Sequence, residues 1–77
     1  MYTVYVLKSL EGKRYTGLTN DLGRRLTEHN AGHTKSTKNR QWEIVYTEEF
    51  PNRVDARNRE KYLKSAAGRR YLQSILD

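Results

Sequence analysis

Seventy-seven residues make one small domain, residues 1–77, and a hydrophobic content of 35% with mean hydropathy −1.02 allows only a thin core. The absence of cysteine excludes disulfide staples and cysteine-based metal sites. Fifteen Lys and Arg against nine Asp and Glu leave a net charge of +6, which points to a polyanionic partner, most often nucleic acid.

The first segment, Tyr2 to Ser9, is rich in valine, tyrosine and threonine, which suit a pleated surface. Both parities carry apolar groups, Val4 and Val6 on one side and Tyr5 and Leu7 on the other, as in a strand covered on both faces. This opening lacks the basic lead and long apolar region of a signal peptide. The longest apolar runs are also far short of the roughly 18–20 residues a membrane span needs. A cytoplasmic location with no membrane partner is the expectation. Leu10 to Lys13 supplies a turn in which Gly12 tolerates positive φ. Residues 14–19 return as a second strand, so the chain opens on a β-hairpin. Gly17 interrupts this strand, and a strand glycine often marks a bulge or a close approach by another group. An odd connection would keep Tyr5 and Tyr15 on one face and an even one would separate them.

Asn20 or Asp21 caps a first helix that runs to about Asn30, with Gly32 as its C-terminal cap. Taking Leu22 as zero at about 100° per residue, Leu26 falls near +40°, His29 near −20° and Arg25 near −60°. Arg24 falls near about 200°, on the wet side. Arg25 is thus aimed at whatever the helix packs against. The stretch from His33 to Gln41 is polar, basic and aperiodic, an exposed loop in which Lys35, Ser36, Thr37, Lys38 and Arg40 suit phosphate contacts. With Gly17 and Arg24, these are the expected nucleic-acid contacts.

Trp42 to Phe50 has strand character and Pro51 ends it. Asn52 caps a second helix over about 53–64. Ala56, Glu60, Leu63 and Ala67 share one face of that helix by the same wheel. A carboxylate within an apolar face is unexpected, because burying it unpaired costs several kcal/mol. Arg57, three residues before it, and Lys64, four after it, offer ion pairs instead. Ser65 caps a last helix over about 66–76, with Tyr71, Leu72, Ile75 and Leu76 as its apolar side. The expected class is α+β, a mostly antiparallel three-stranded sheet flanked by helices in the order ββαβαα.

With these residues in view, the pattern resembles the GIY-YIG nuclease domain, most closely its small stand-alone, excinuclease-like bacterial members. Thr3-Val4-Tyr5 stands where the first signature triplet lies and Tyr15-Thr16-Gly17 where the second lies. The match continues through Arg25, His29 and Glu60 and covers nearly the whole chain. The first triplet departs from the pattern at Thr3 and Val4. The asparagine many members carry beyond the glutamate has no clear counterpart in Tyr71-Leu72-Gln73-Ser74. Where some relatives place a tyrosine or histidine after the first helix, this chain offers His33, Ser36 and Thr37.

The resemblance implies a phosphodiesterase, a DNA endonuclease using one Mg²⁺ or Mn²⁺ ion and no small-molecule cofactor. It implies Glu60 as metal ligand, Arg25 as the group steadying the scissile phosphate, and Tyr5 as the residue that takes or passes the water's proton, with Tyr15 and His29 beside it. A free tyrosine has a pKa near about 10, so Tyr5 is a base at neutral pH only if nearby cations depress it. With no added DNA-binding module in the chain, weak sequence selectivity is expected. A preference for single-stranded or branched DNA is expected because a narrow basic groove with tyrosines suits stacking. The alternative is a nucleic-acid-binding module on the same fold that has lost or barely retains catalysis.

Overall fold

The computed structural model describes residues 1–31 and 41–76. Strands β1 (Tyr2–Ser9), β2 (Arg14–Thr19) and β3 (Trp42–Phe50) form one antiparallel sheet in the order β2-β1-β3. Helices α1 (Leu22–Asn30), α2 (Arg53–Lys64) and α3 (Ala66–Leu76) flank it, which is the expected ββαβαα order. Among the described residues, no helix is long and apolar enough to cross a membrane.

The hairpin turns through Gly12, whose φ of +88° suits a residue without a Cβ. Its last ladder pair is Lys8 with Arg14, so residues 9–13 form an odd connection. Tyr5 opposite Gly17 and Leu7 opposite Tyr15 therefore project from the same face. Val4 and Val6 project from the other. A bulge on β3 between the partners of Val6 and Leu7 adds one residue, Val45, to the edge strand.

Each face of β1 has its own cluster. Val4 and Val6 pack with Ala56 and Leu63 of α2 and Leu72 of α3. Tyr5, Leu7 and Trp42 pack with Tyr15, Leu22 and Leu26 on the α1 side. As the central strand, β1 is buried from Val4 to Leu7.

The helix starts follow their caps. Asp21 Oδ1 accepts from Arg24 N at 3.1 Å, Asn52 Oδ1 from Asp55 N at 2.9 Å and Ser65 Oγ from Gly68 N at 3.2 Å. The C-cap of α1 is Ala31, whose N–H reaches Thr27 O at 2.9 Å; Gly32 lies outside the described residues. Asn30 then ties α1 to β3, accepting from Trp42 N at 2.7 Å.

Two helix-face expectations are corrected. Ala67 is exposed, because Ser65 adopts an extended conformation (ψ 168°) that breaks the helical phase between α2 and α3. Gly68 is buried instead; a Cβ there would come within 2.5 Å of Leu63 Cα, so only glycine lets α3 start this close to α2. On α3, Leu72 enters the core and Leu76 is half-buried, whereas Ile75 is exposed. Tyr71 lies at the surface against Tyr46, with the Arg59 guanidinium over its ring.

Candidate active site

The β2 edge of the sheet brings α1 and α2 to the same place from opposite faces. A groove of about 420 Å³ runs there, lined among others by Arg24, Arg25 and Glu28 of α1 and by Arg53, Arg57 and Glu60 of α2. Behind it lies a buried group centred on Tyr5, which is 1% exposed, and His29, which is fully buried.

The position of Tyr5 depends on Gly17. A Cβ at Gly17 would come within 2.5 Å of the Tyr5 Cζ and collide with its hydroxyl. The close approach marked by this glycine is therefore made by the phenol of the adjacent strand, not by a ligand. With its ring across Gly17, Tyr5 places Oη 3.0 Å from His29 Nε2 and 3.3 Å from Arg25 Nε. Arg25 donates to Oη, and the phenol's own proton is then directed at Nε2. Tyr15 completes the enclosure, its ring centroid 4.5 Å from that of His29 and 6.4 Å from that of Tyr5.

This enclosure sets the protonation states. Burial pushes the Tyr5 phenol above its ordinary value, and the nearby Tyr15 and Glu60 add to the rise against the lowering effect of Arg25. The condition for Tyr5 to act as a base at neutral pH, a pKa depressed by nearby cations, is therefore not met. Desolvation of a buried phenolate outweighs one guanidinium. His29 moves the other way: burial first, then the positive charge of Arg25, lowers its pKa. At neutral pH the pair is a phenol and a neutral imidazole.

Glu60 sits on α2 at the opposite face, 7% exposed. Both ion pairs read from its spacing are present, Lys64 Nζ on Oε2 at 3.1 Å and Arg57 Nε near Oε1 at 3.8 Å. It lines the groove together with Arg25, so the salt-bridged carboxylate is also the carboxylate facing the site. Arg25 Nη1 itself lies 3.6 Å from Glu28 Oε1.

The fold thus brings together Tyr5, Tyr15, Gly17, Arg25 and His29 under α1, and sets Glu60 across the strand edge from them. Arg24 is exposed on the groove, as the wheel requires. Lys35, Ser36, Thr37, Lys38 and Arg40 lie outside the described residues, as does His33. Sequence reasoning did not name Glu28, nor Arg53 as a groove residue. The signal for Arg53 was available: Arg53, Arg57, Glu60 and Lys64 follow one another at spacings of four, three and four, a single row on α2.

The family described as GIY-YIG catalytic domain matches residues 1–72. The chain belongs to the GIY-YIG family. A UPF0213 protein of Clostridium perfringens is 40% identical over 77 residues, covering 97% of this chain and 83% of that protein. A UPF0213 protein of Halobacterium salinarum is 41% identical over 66 residues, covering 83% of this chain and 86% of its own length. The solution NMR structure of a UPF0213 protein from Bacillus halodurans superposes with a TM-score of 0.59 at 34% identity, covering 97% of this chain and 85% of that one. The Bacillus halodurans structure shares the α+β architecture of this GIY-YIG chain, and the names of these relatives specify no activity.

A divalent ion is the remaining component that family membership implies. Among the described residues, no three carboxylate, imidazole or thiolate groups converge on one point. A chelating cage is therefore absent from this part of the GIY-YIG chain. A single carboxylate still fits a hard ion that keeps most of its own waters. Arg57 approaches Oε1 only at 3.8 Å, too far for a hydrogen bond, and the groove beside it has room for hydration.

Proposed function

We propose that this protein is a metal-dependent endonuclease that hydrolyses DNA phosphodiesters in the cytoplasm by water attack, with weak sequence selectivity. The observation that carries the reading is the Tyr5 hydroxyl held between Arg25 and His29, beside a groove into which Arg25 and Glu60 both open.

In this reading Tyr5 acts as a relay, because its raised pKa leaves no standing phenolate to serve as base. The attacking water gives a proton to Tyr5 Oη as Oη passes its own proton to His29 Nε2, which ends as an imidazolium. The lowered pKa of His29 keeps the imidazole neutral before the reaction, so that it can take up a proton. Arg25 presents its guanidinium to the phosphate, where a planar fork of donors matches the oxygens. Its charge also opposes the build-up of the imidazolium, so the proton returns through Tyr5 Oη toward the leaving oxygen as its bond to phosphorus breaks. Glu60 would hold Mg²⁺ or Mn²⁺ through Oε1. Such an ion supplies Lewis acidity toward the scissile phosphate and its water. Arg24, Arg53 and Arg57 supply positive charge around the groove, enough for phosphate binding without base readout.

The two cations on Glu60 favour one second reading, a nucleic-acid-binding GIY-YIG domain whose carboxylate is spent on ion pairs. The deciding experiment offers labelled single-stranded, duplex and branched DNA with Mg²⁺, Mn²⁺ or EDTA to the wild type, Arg25→Ala and Glu60→Ala. Metal-dependent cutting lost in both variants supports the nuclease and ranks its substrates. DNA binding without cutting under either metal overturns it in favour of the binding module.

A further inference from the structure

The Arg25 guanidinium is held along two of its edges. Its Nε donates to Tyr5 Oη at 3.3 Å, and its Nη1 lies 3.6 Å from Glu28 Oε1. Glu28 follows Arg25 by three residues along α1, a spacing at which side chains meet on the helix surface. Arg24, four residues before Glu28, offers an equally available pairing by spacing. Among the described residues Glu28 is ion-paired with Arg25 and not with Arg24. The carboxylate is thus directed at the arginine of the site, and it lines the groove beside it.

Two features make this contact displaceable. At 3.6 Å it is a contact of charges, longer than a hydrogen bond of good geometry. Both side chains are 34% exposed, so water screens the pair and its strength is small. Glu60, by contrast, is 7% exposed and accepts from Lys64 Nζ at 3.1 Å. The two carboxylates of the groove therefore differ. One is fixed by a hydrogen bond within the fold, and the other is a loose counter-ion on the arginine that meets the phosphate.

With Nε turned to Tyr5, the guanidinium edge left for an incoming phosphate carries Nη1 and Nη2. Glu28 stands against Nη1, so its carboxylate and a phosphodiester oxygen compete for the same donor. We propose that Glu28 is a positioning residue acting through Arg25, keeping the guanidinium at the groove in the DNA-free protein and leaving Nη1 when the scissile phosphate arrives. The proposal rests on the nuclease reading for the identity of that phosphate, and the competition itself is measured by binding without cleavage. DNA binding then includes displacement of Glu28, whereas the bound complex no longer contains the contact. Loss of the carboxylate should accordingly act on DNA affinity and KM more than on kcat.

The test measures fluorescence anisotropy of a labelled single strand of DNA in EDTA at fixed salt. It compares the wild type with Glu28→Gln, Arg25→Gln and the double variant Arg25→Gln/Glu28→Gln. Glu43→Gln, an exposed position on β3 opposite Lys8 at the far edge of the sheet, reports the effect of net charge alone. Thermal melts check each fold, and cleavage with Mg²⁺ is assayed in parallel. Glu28→Gln should bind up to about fivefold more tightly than the wild type, exceed the gain of Glu43→Gln, and lose that gain when Arg25 is also replaced. In cleavage the change should fall on KM. This pattern of binding supports the positioning role even if no protein cuts, in which case only the nuclease reading fails. A gain that persists without Arg25, or that Glu43→Gln matches, overturns the role and leaves the nuclease reading to the cleavage assay. Weaker or unchanged binding by folded Glu28→Gln, or a loss confined to kcat, overturns it as well. A wild type that binds no DNA overturns both.

Discussion

On one face of β1, Val4 and Val6 meet Ala56, Leu63 and Leu72; on the other, Tyr5 meets His29, Tyr15 and Arg25. Both faces bury the β1 side chains themselves, yet they are opposite in kind. The first is mainly apolar, with Glu60 held beside it by ion pairs, and its apolar contacts contribute stability at roughly 25 cal/mol per Å². The second buries a phenol and an imidazole, which is tolerable only because each polar atom has a partner; among the described residues no buried side-chain nitrogen or oxygen lacks one. A strand with period-two alternation lets one segment serve both purposes. The apolar face holds β1 in place, and the polar face uses that rigidity to fix a hydroxyl between two donors and acceptors.

This contrast predicts that substitutions on the two faces fail differently. Tyr5→Phe should lower the cleavage rate per folded molecule by about 10²–10⁴, the usual contribution of a positioned proton carrier, as read in multiple-turnover assays on labelled DNA. Leu63→Ala, on the apolar face, should cost about 2–5 kcal/mol in urea unfolding while leaving the rate per folded molecule nearly intact. If Leu63→Ala abolished cutting without loss of stability, the division between the faces would be wrong.

Gly17→Ala sits between these extremes. The added methyl must displace the Tyr5 ring, so overpacking should cost about 1–3 kcal/mol and the tyrosine–histidine hydrogen bond should be lost together with activity. A spectroscopic titration of Tyr5 in this variant would show its pKa returning toward the ordinary tyrosine value.

The pH dependence sharpens the comparison further. The folded-state pKa of His29 is below its unfolded value near about 6.5, so in that window the unfolded chain binds more protons than the native one. Stability from this group is therefore present above about 6.5 and lost as pH falls through the folded pKa. Tyr5 has the opposite sense: its folded pKa is raised, so its contribution is present below about 10 and lost as pH rises through the folded value. Urea melts across pH should show both limbs, and His29→Gln should flatten the acid one. In the relay, activity needs a neutral His29, so the acid limb of kcat should lie below the usual histidine range.

The smallest expected effect is at Asp21→Ala, which removes the N-cap of the helix carrying Arg25 and His29 and should cost about 1 kcal/mol in thermal or urea unfolding.

Much of this molecule is legible in its order of residues. Cap residues and turn chemistry act locally, which is why Asp21, Asn52, Ser65 and Gly12 mark the element ends. Side-chain periodicity is likewise local, and it aimed Arg25 inward and Arg24 outward from adjacent positions. The ordered set Tyr5, Tyr15, Gly17, Arg25, His29 and Glu60 was enough to suggest the family. The wheel failed where a phase break intervened, since Ser65 separates Ala67 from the helix face it was placed on.

Other properties belong to the tertiary structure because they are sums over atoms distant in sequence. The odd connection of the hairpin settles that Tyr5 and Tyr15 share a face, and the cross-strand pairing settles that the group approaching Gly17 is Tyr5. Glu60 is at once ion-paired and groove-facing, two readings that its spacing alone set against each other. Above all, the direction of the Tyr5 pKa depends on how completely its surroundings remove water. A neighbouring cation alone would depress the phenol, whereas desolvation in the assembled fold raises it.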